Sequence, residues 1–211
     1  MKKTLAAVTA FGIAFGFVEA AVVVYLRLHF YPDGFTFPLA EMPGPVILTE
    51  VAREAATIIM LASIGWIAGR RFLDRFAYFC FAFAVWDVFY YVFLKVILGW
   101  PESLFTWDVL FLIPLPWLGP VLAPVIVSVC LFASSLLVLR REATGRPVIL
   151  TPLQWIITII GGVLIIVSFL AEPGAMSQQQ IPGPYNWLLF ALGVCTGIAG
   201  FVWALRSHPA P

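Results

Sequence analysis

The sequence predicts an all-α integral membrane protein with six transmembrane helices, from its composition, the length of its apolar segments and the placement of its basic residues. The chain has 211 residues, of which 62% are hydrophobic and 11% charged, and its mean hydropathy is +1.01. Soluble domains carry about 25% charged residues, so this chain has too few to cover a surface that faces water. Several apolar segments exceed the roughly 20 residues that a helix needs to cross a bilayer. No segment is long and polar enough for a separate soluble domain, and we expect residues 1–211 to form a single polytopic domain.

The basic residues predict the orientation, because cytoplasmic loops carry an excess of lysine and arginine. They cluster at alternate ends of the apolar segments: Lys2, Lys3, Arg70, Arg71, Arg75, Arg140, Arg141, Arg146 and Arg206. Six helices with both termini in the cytoplasm place all of them on one side. We therefore expect a multi-pass protein of the cell inner (cytoplasmic) membrane. The short clusters form no basic face, which argues against a nucleic-acid partner.

The first predicted helix covers residues 4–28 and begins like a signal peptide. Met1-Lys2-Lys3 precedes an apolar run, and Val18-Glu19-Ala20 offers a small-residue cleavage site. The apolar run continues past this site to a length that can span a bilayer, which favours an uncleaved helix; the sequence alone leaves cleavage of residues 1–20 open. One face of this helix combines small residues, which allow close packing, with charged ones: Gly12, Gly16, Glu19, Val23 and Arg27.

The remaining helices are predicted at about 46–69, 76–98, 119–139, 149–171 and 185–205. Residues 30–45 form an apolar loop broken by proline and glycine, which either connects two helices or folds back over the bundle. Residues 104–118 are rich in proline, and we expect a short interfacial or re-entrant segment there, before helix four.

Two of the later helices carry glycines at helical spacing. These are Gly161 and Gly162 in the fifth helix and Gly193, Gly197 and Gly200 in the sixth. Such small residues predict close packing of the two helices, against each other or against a second copy of the chain.

Charged residues within the apolar segments are the candidates for a functional site. A charged side chain in hydrocarbon costs at least about 2.5–3.5 kcal/mol, so such residues usually face a bundle interior and are paired. Helical spacing puts Glu50, Arg53 and Glu54 on one face, and the next helix carries further polar residues on a broad face. The candidate binding residues are Glu50, Arg53, Glu54 and Asp87, then Glu19, Tyr91, Lys95, Arg27, Tyr90 and Asp108. The predicted orientation places all of them toward the outer side of the membrane.

The charge balance of these candidates suggests the ligand. They comprise five acids and three bases, and a buried excess of carboxylates must take up protons or be neutralised by a cation. Carboxylates beside tryptophan and tyrosine suit a cationic or amine-bearing solute, through ion pairing and cation–π contact. The first hypothesis is therefore an outward-facing site that binds such a solute for transport. In size and orientation the six helices resemble the substrate-binding subunits of energy-coupling-factor vitamin transporters.

Two further hypotheses stay open, so the sequence does not decide whether the protein is an enzyme. The first is a membrane-embedded enzyme that acts on a lipid or isoprenoid by carboxylate acid–base chemistry. The stretch from Trp86-Asp87 through Tyr90-Tyr91 to Trp100-Pro101 is loosely similar to the acidic motif of membrane carotenoid cyclases, without their paired-glutamate motif. The second is a structural accessory subunit, in which the ion pairs fix the helices together. A homo-oligomer or a partner in a membrane complex fits either one.

Metal and cofactor chemistry find little support in the sequence. The only histidines, His29 and His208, lie at segment ends, whereas carboxylate di-metal bundles usually add histidines at Glu-x-x-His spacing. Haem between two histidines is disfavoured for the same reason. We therefore expect no metal and no cofactor. Cys80, Cys130 and Cys195 lie singly in three apolar segments, which predicts free thiols.

Overall fold

The computed structural model describes residues 1–170 and 183–207. Residue 171, the predicted end of the fifth helix, and His208 lie outside these ranges. The structure is 73% helical, and within the described residues six helices are long and apolar enough to cross a membrane. The predicted fold class is thus confirmed, while the orientation of the helices relative to the membrane stays a prediction.

The elements follow one another with short connections. The helices are α1 (Lys2–Phe30), α2 (Gly44–Ala68), α3 (Phe72–Leu98), α4 (Leu122–Ala143), α5 (Pro152–Phe169) and α6 (Trp187–Ser207). Two short strands, β1 (Trp107–Phe111) and β2 (Trp117–Pro120), lie between α3 and α4. We call the end of the bundle that carries these strands the hairpin end, and the opposite end the N-terminal end.

The third helix begins four residues earlier than the sequence predicted. The carboxylate of Asp74 accepts a hydrogen bond from the backbone N–H of Arg71 (3.3 Å), which caps the first turn. Arg75, expected to precede the helix, lies inside it, and its guanidinium carbon stands 3.6 Å from the ring centre of Trp66. The cap from Asp74 and the contact of Arg75 with Trp66 thus allow both charged residues to lie in the first turns of α3.

Helix α3 is the centre of the bundle and packs against α1, α2 and α4. The contact with α1 depends on its glycines, as predicted. A Cβ atom on Gly16 would lie 2.8 Å from the carbonyl oxygen of Trp86, and one on Gly12 would lie 2.8 Å from Cγ1 of Val85. Larger residues at these positions would separate α1 from α3.

Helices α5 and α6 form a second unit and face each other. A Cβ atom on Gly161 would lie 2.5 Å from the backbone nitrogen of Gly197, and one on Gly193 would lie 2.8 Å from that of Ile165. The glycines therefore serve the α5–α6 contact, one of the two arrangements that the sequence allowed. The pair contacts the rest of the bundle mainly through α4 and β2.

The proline-rich segment before α4 contains an antiparallel β-hairpin, which the sequence did not predict. Asp108 of β1 pairs with Gly119 of β2, and Pro114 and Pro116 lie in the connection between the strands. Prolines lack an N–H group and disrupt a helix, so the backbone groups on either side pair across two strands instead. Whether this segment is interfacial or re-entrant stays a prediction.

The N-terminal half of the bundle is closed by a cluster of apolar side chains. It includes Leu61 and Ala82, both fully buried, and extends through Phe81 to Val138 and Ala204. This cluster fills the space between the helices, so any open volume lies toward the hairpin end.

Candidate functional site

A cavity of about 500 Å³ lies in the hairpin half of the bundle. Helices α1 to α5, the hairpin and the loop between α1 and α2 all contribute to its wall. Of the ten candidate binding residues, nine line it: Glu19, Arg27, Glu50, Arg53, Glu54, Asp87, Tyr90, Tyr91 and Asp108. The structure thus brings these residues together, and their role in binding stays a proposal.

Lys95 is the candidate that lies elsewhere. Its ammonium group donates hydrogen bonds to the carbonyl oxygens of Gly99 (2.9 Å) and Pro101 (2.7 Å). Eight residues of helix at about 100° each turn the side chain roughly 80° away from Asp87, which accounts for its position. Lys95 therefore stabilises the C-terminal end of α3, and the cavity wall holds five carboxyl groups and two guanidinium groups.

Arg53 connects acids on two helices. Its Nε and Nη2 atoms donate to Oε2 of Glu50 at 2.9 and 2.8 Å, and its Nη1 atom forms an ion pair with Glu19 of α1. The hydroxyl of Thr57 donates to the other oxygen of Glu19 at 3.1 Å. Since α1 and α2 otherwise contact each other little, this network joins them.

A second network fixes the hairpin to the helices. Nη2 of Arg27 donates to Oδ1 of Asp108 (2.9 Å), and the hydroxyl of Tyr91 donates to Oδ2 (3.2 Å). The guanidinium carbon of Arg27 lies 4.3 Å from the ring centre of Phe35 and 3.6 Å from that of Trp100. Burial raises the pKa of Asp108, and the nearby Arg27 and Tyr91 act in the opposite direction without cancelling it.

Glu54 and Asp87 have no basic partner. Oε2 of Glu54 accepts a hydrogen bond from the backbone N–H of Leu112 (2.7 Å), and Oδ2 of Asp87 accepts one from the hydroxyl of Ser128 (2.7 Å). In the described part of the chain, no lysine, arginine or histidine nitrogen lies within 4.0 Å of either carboxyl group. Both groups are buried and line the cavity, so they are the acids left over for a ligand.

Three buried N–H groups on residues of the cavity wall also lack an acceptor. They belong to Nε1 of Trp86, Nε1 of Trp117 and Nη1 of Arg27, and no hydrogen-bond partner for them occurs in the described residues. Buried donors in proteins are nearly always hydrogen-bonded. The wall thus offers both unpaired carboxyl groups and unused donors to a bound molecule.

The rest of the wall is apolar and comes largely from elements that sequence reasoning did not include. It contains Val127 and Leu131 of α4, together with Gly162, Ile165 and Phe169 of α5. Because α5 carries no charged residue within its span, it gave no signal of a site. Apolar residues facing a cavity have the same sequence pattern as residues facing lipid.

The loop between α1 and α2 folds over the cavity. Tyr31, Phe35 and Leu39 all line it, and the Tyr31 hydroxyl accepts a hydrogen bond from the backbone N–H of Ala40 (2.9 Å), which closes the loop on itself. Burial raises the pKa of Tyr31. Of the two arrangements expected for this loop, the structure shows the one that covers the bundle.

The chain is a polytopic helical membrane protein with a largely apolar cavity that has an acidic wall. Comparison with family models, curated proteins and solved structures finds no match. The resemblances drawn from size and from the acidic stretch therefore gain no support from a match. In residues 1–170 and 183–207, no group of three or more histidine, cysteine or acidic side chains is arranged to hold a metal ion.

Proposed function

We propose that the protein binds a small cationic or amine-bearing molecule in this cavity. The observation that carries the proposal is the pair of buried carboxyl groups, Glu54 and Asp87, that have no basic partner in the described residues. With both arginines of the wall paired to other acids, an ionised Glu54 or Asp87 would be an uncompensated charge. Such a charge costs several kcal/mol, and a bound ammonium group removes this cost.

The aromatic residues of the wall support the same class of ligand. Trp86, which directly precedes Asp87, and Tyr90, which follows it by three residues, both line the cavity, and their ring centres lie 6.4 Å apart. A cation close to the face of a tryptophan or tyrosine gains about 0.5–2 kcal/mol from the π system. The ligand would thus pair with the carboxylates and contact the rings.

The size of the cavity favours binding over a purely structural role. Protein interiors that serve only to hold helices together pack to a density of about 0.74 and leave few voids larger than a water molecule. Ligand sites typically occupy about 300–1,000 Å³, a range that includes this cavity of about 500 Å³. A transport role would also require a second conformation, because apolar side chains close the N-terminal end.

Acid–base chemistry on a lipid or isoprenoid is a second candidate function. It is favoured by the contact between unpaired carboxyl groups and the apolar wall on α4 and α5, because a proton donor of this kind must lie beside its apolar substrate. An enzyme would release an altered molecule, whereas a binding or transport protein would release its ligand unchanged.

The test is native mass spectrometry of the protein released from its own membrane, together with thermal shift measurements with butylamine and tetramethylammonium. We expect a retained amine-bearing molecule, and stabilisation by the amines, in the wild type. Glu54→Gln and Asp87→Asn should each weaken amine binding at least tenfold, since loss of one buried ion pair exceeds 1.4 kcal/mol.

The matched control is Glu102→Gln, which removes an exposed carboxyl group that does not line the cavity. It should bind amines like the wild type. Amine binding that survives both cavity substitutions, or a wild-type protein that neither retains a ligand nor responds to the amines, would contradict the proposal. Conversion of the retained molecule during incubation would favour the enzyme.

A further inference from the structure

We infer that the ligand is a long-chain amine whose hydrocarbon chain lies against α4 and α5 and enters from the bilayer between α2 and α5. This inference rests on the proposed function, because it assigns the chemical class of the molecule that the acidic wall binds. It adds a second binding region, the apolar wall, and a route of access.

The cavity has a polar and an apolar wall, which suit a ligand with a polar head and a hydrocarbon chain. The polar wall lies on α1, α2 and α3, where the unpaired Glu54 and Asp87 are found. The rest of the wall carries Val127, Leu131, Ile165 and other apolar residues of α4 and α5. A hydrophilic amine would leave this second wall in contact with water, whereas an attached hydrocarbon chain would cover it.

The space between α2 and α5 connects the cavity to the surface. Helix α2 packs on α3 and α5 packs on α6, and α2 and α5 scarcely contact each other. Ile47 of α2 and Gly162 of α5 both line the cavity and are also exposed at the surface. The exposed neighbours of Gly162 on α5, Ile159 and Val163, are apolar, as expected for a surface that faces lipid.

The other directions are covered in the part of the chain that the structure describes. At the hairpin end, the α1–α2 loop and β1 contribute Phe35, Leu39 and Phe111 to the wall. At the N-terminal end, the apolar cluster around Leu61 and Phe81 fills the interior. We place the route of access between α2 and α5 because the exposed lining residues Ile47 and Gly162 lie there.

Charge excludes the most abundant amphiphiles. A phosphate group would meet five carboxyl groups and two guanidiniums already engaged with acids, and like charges at close range disfavour binding. The volume also fits a head and one chain better than the two chains of a phospholipid, since about 500 Å³ accommodates a drug-sized ligand. The class is therefore a single-chain amine without phosphate.

Gly162 allows the apolar wall to be blocked without disturbing the fold. A Cβ atom added there has no heavy atom within 4 Å, so Gly162→Leu would extend into open space at the cavity mouth. Gly197 of α6 is the matched control, because a Cβ atom there also meets nothing within 4 Å and the residue does not line the cavity. Gly197→Leu should therefore add a similar side chain to a helix surface away from the site.

The experiment measures binding of dodecylamine and butylamine to wild type, Gly162→Leu, Gly197→Leu, Glu54→Gln and Asp87→Asn in nanodiscs. The intrinsic fluorescence of Trp86 and Trp117, both in the cavity wall, provides the signal. Dodecyl phosphate, with the same chain and the opposite charge, should not bind. We expect Gly162→Leu to weaken dodecylamine at least fivefold and to leave butylamine unchanged, while Gly197→Leu changes neither.

The outcomes separate this inference from the proposed function. If Glu54→Gln weakens both amines but Gly162→Leu weakens neither, or both equally, the amine site stands and the long-chain inference is wrong. Binding of dodecyl phosphate as tightly as dodecylamine would also overturn it. If no amine binds the wild type, or if binding of both amines survives Glu54→Gln and Asp87→Asn alike, the proposed function itself fails.

Discussion

The buried ion pair between Arg27 and Asp108 can be tested by removing either partner, because the two substitutions should have different effects on stability. Asp108→Asn leaves the guanidinium of Arg27 buried and charged, because arginine does not lose its proton in proteins. Breaking a buried pair in this way typically costs about 3–5 kcal/mol. Arg27→Met leaves a carboxyl group instead, which can take up a proton and become neutral. At low pH we therefore expect Arg27→Met to lower the free energy of unfolding by less than Asp108→Asn does.

The pH dependence of the two variants should differ as well. The pKa of Asp108 is already above its usual 3.8 because burial outweighs the effect of Arg27, and removal of Arg27 raises it further. A carboxyl group with a higher pKa in the folded than in the unfolded protein favours the fold below the unfolded pKa. This contribution is lost as the pH rises through the folded pKa. Relative to the wild type, the cost of Arg27→Met should thus grow by up to about 1.4 kcal/mol per pH unit between the folded pKa of Asp108 in the wild type and its higher folded pKa in the variant.

The assay is reversible unfolding in mixed micelles, with free energies of unfolding compared with the wild type at several pH values between 4 and about 8. The cost of Asp108→Asn should fall as the pH rises through the folded pKa of Asp108, because the wild type loses stability there and the variant has no titrating group at that position. The double variant should recover part of the loss, because it removes both charges together. Equal costs for the two single variants, unchanged with pH, would refute the assignment of a buried, desolvated pair.

Two further predictions concern the fold. Gly161→Ala should destabilise the protein by about 1–3 kcal/mol in the same unfolding assay, because its Cβ would meet the backbone of Gly197 at 2.5 Å, whereas Gly162→Ala should be close to neutral. Equal stabilities would contradict the α5–α6 contact. On a background without native cysteines, Arg70→Cys should react with a membrane-impermeant thiol reagent only from the cytoplasmic side, and Glu102→Cys only from the outside. The reverse labelling would overturn the predicted orientation.

Much of the fold could be predicted because a bilayer limits the possible structures. The six helices follow from apolar length, since the backbone must satisfy its own hydrogen bonds in hydrocarbon. Gly12 and Gly16 correctly indicated that α1 packs closely on another helix, which the structure shows to be α3. The hairpin was missed because Trp107–Phe111 and Trp117–Pro120 are too short and too near prolines to show a clear alternation of apolar and polar residues.

The grouping of the charged candidates could also be predicted, but only in part. Spacing placed Glu50, Arg53 and Glu54 on one helical face, and the cost of lone charges in lipid implied partners on neighbouring helices. Which acid pairs with which base could not be derived, since this depends on the rotation of each helix about its axis. Lys95 is a different case, because its offset of roughly 80° from Asp87 within α3 could have been read from the sequence; its ammonium group binds carbonyl oxygens at the end of α3 and not the cavity.

The division of the bundle into α1–α4 and the α5–α6 pair has a consequence for biosynthesis. Chains leave the ribosome from the N-terminus, so α1 to α4 enter the membrane before the apolar wall on α5 has been made. Until then, the acids on α1 to α3 face a cleft that lacks one side. The close contact of Gly161 with Gly197 suits α5 and α6 to pair with each other before they dock. We therefore expect the α5–α6 pair to dock last and to complete the wall of the cavity.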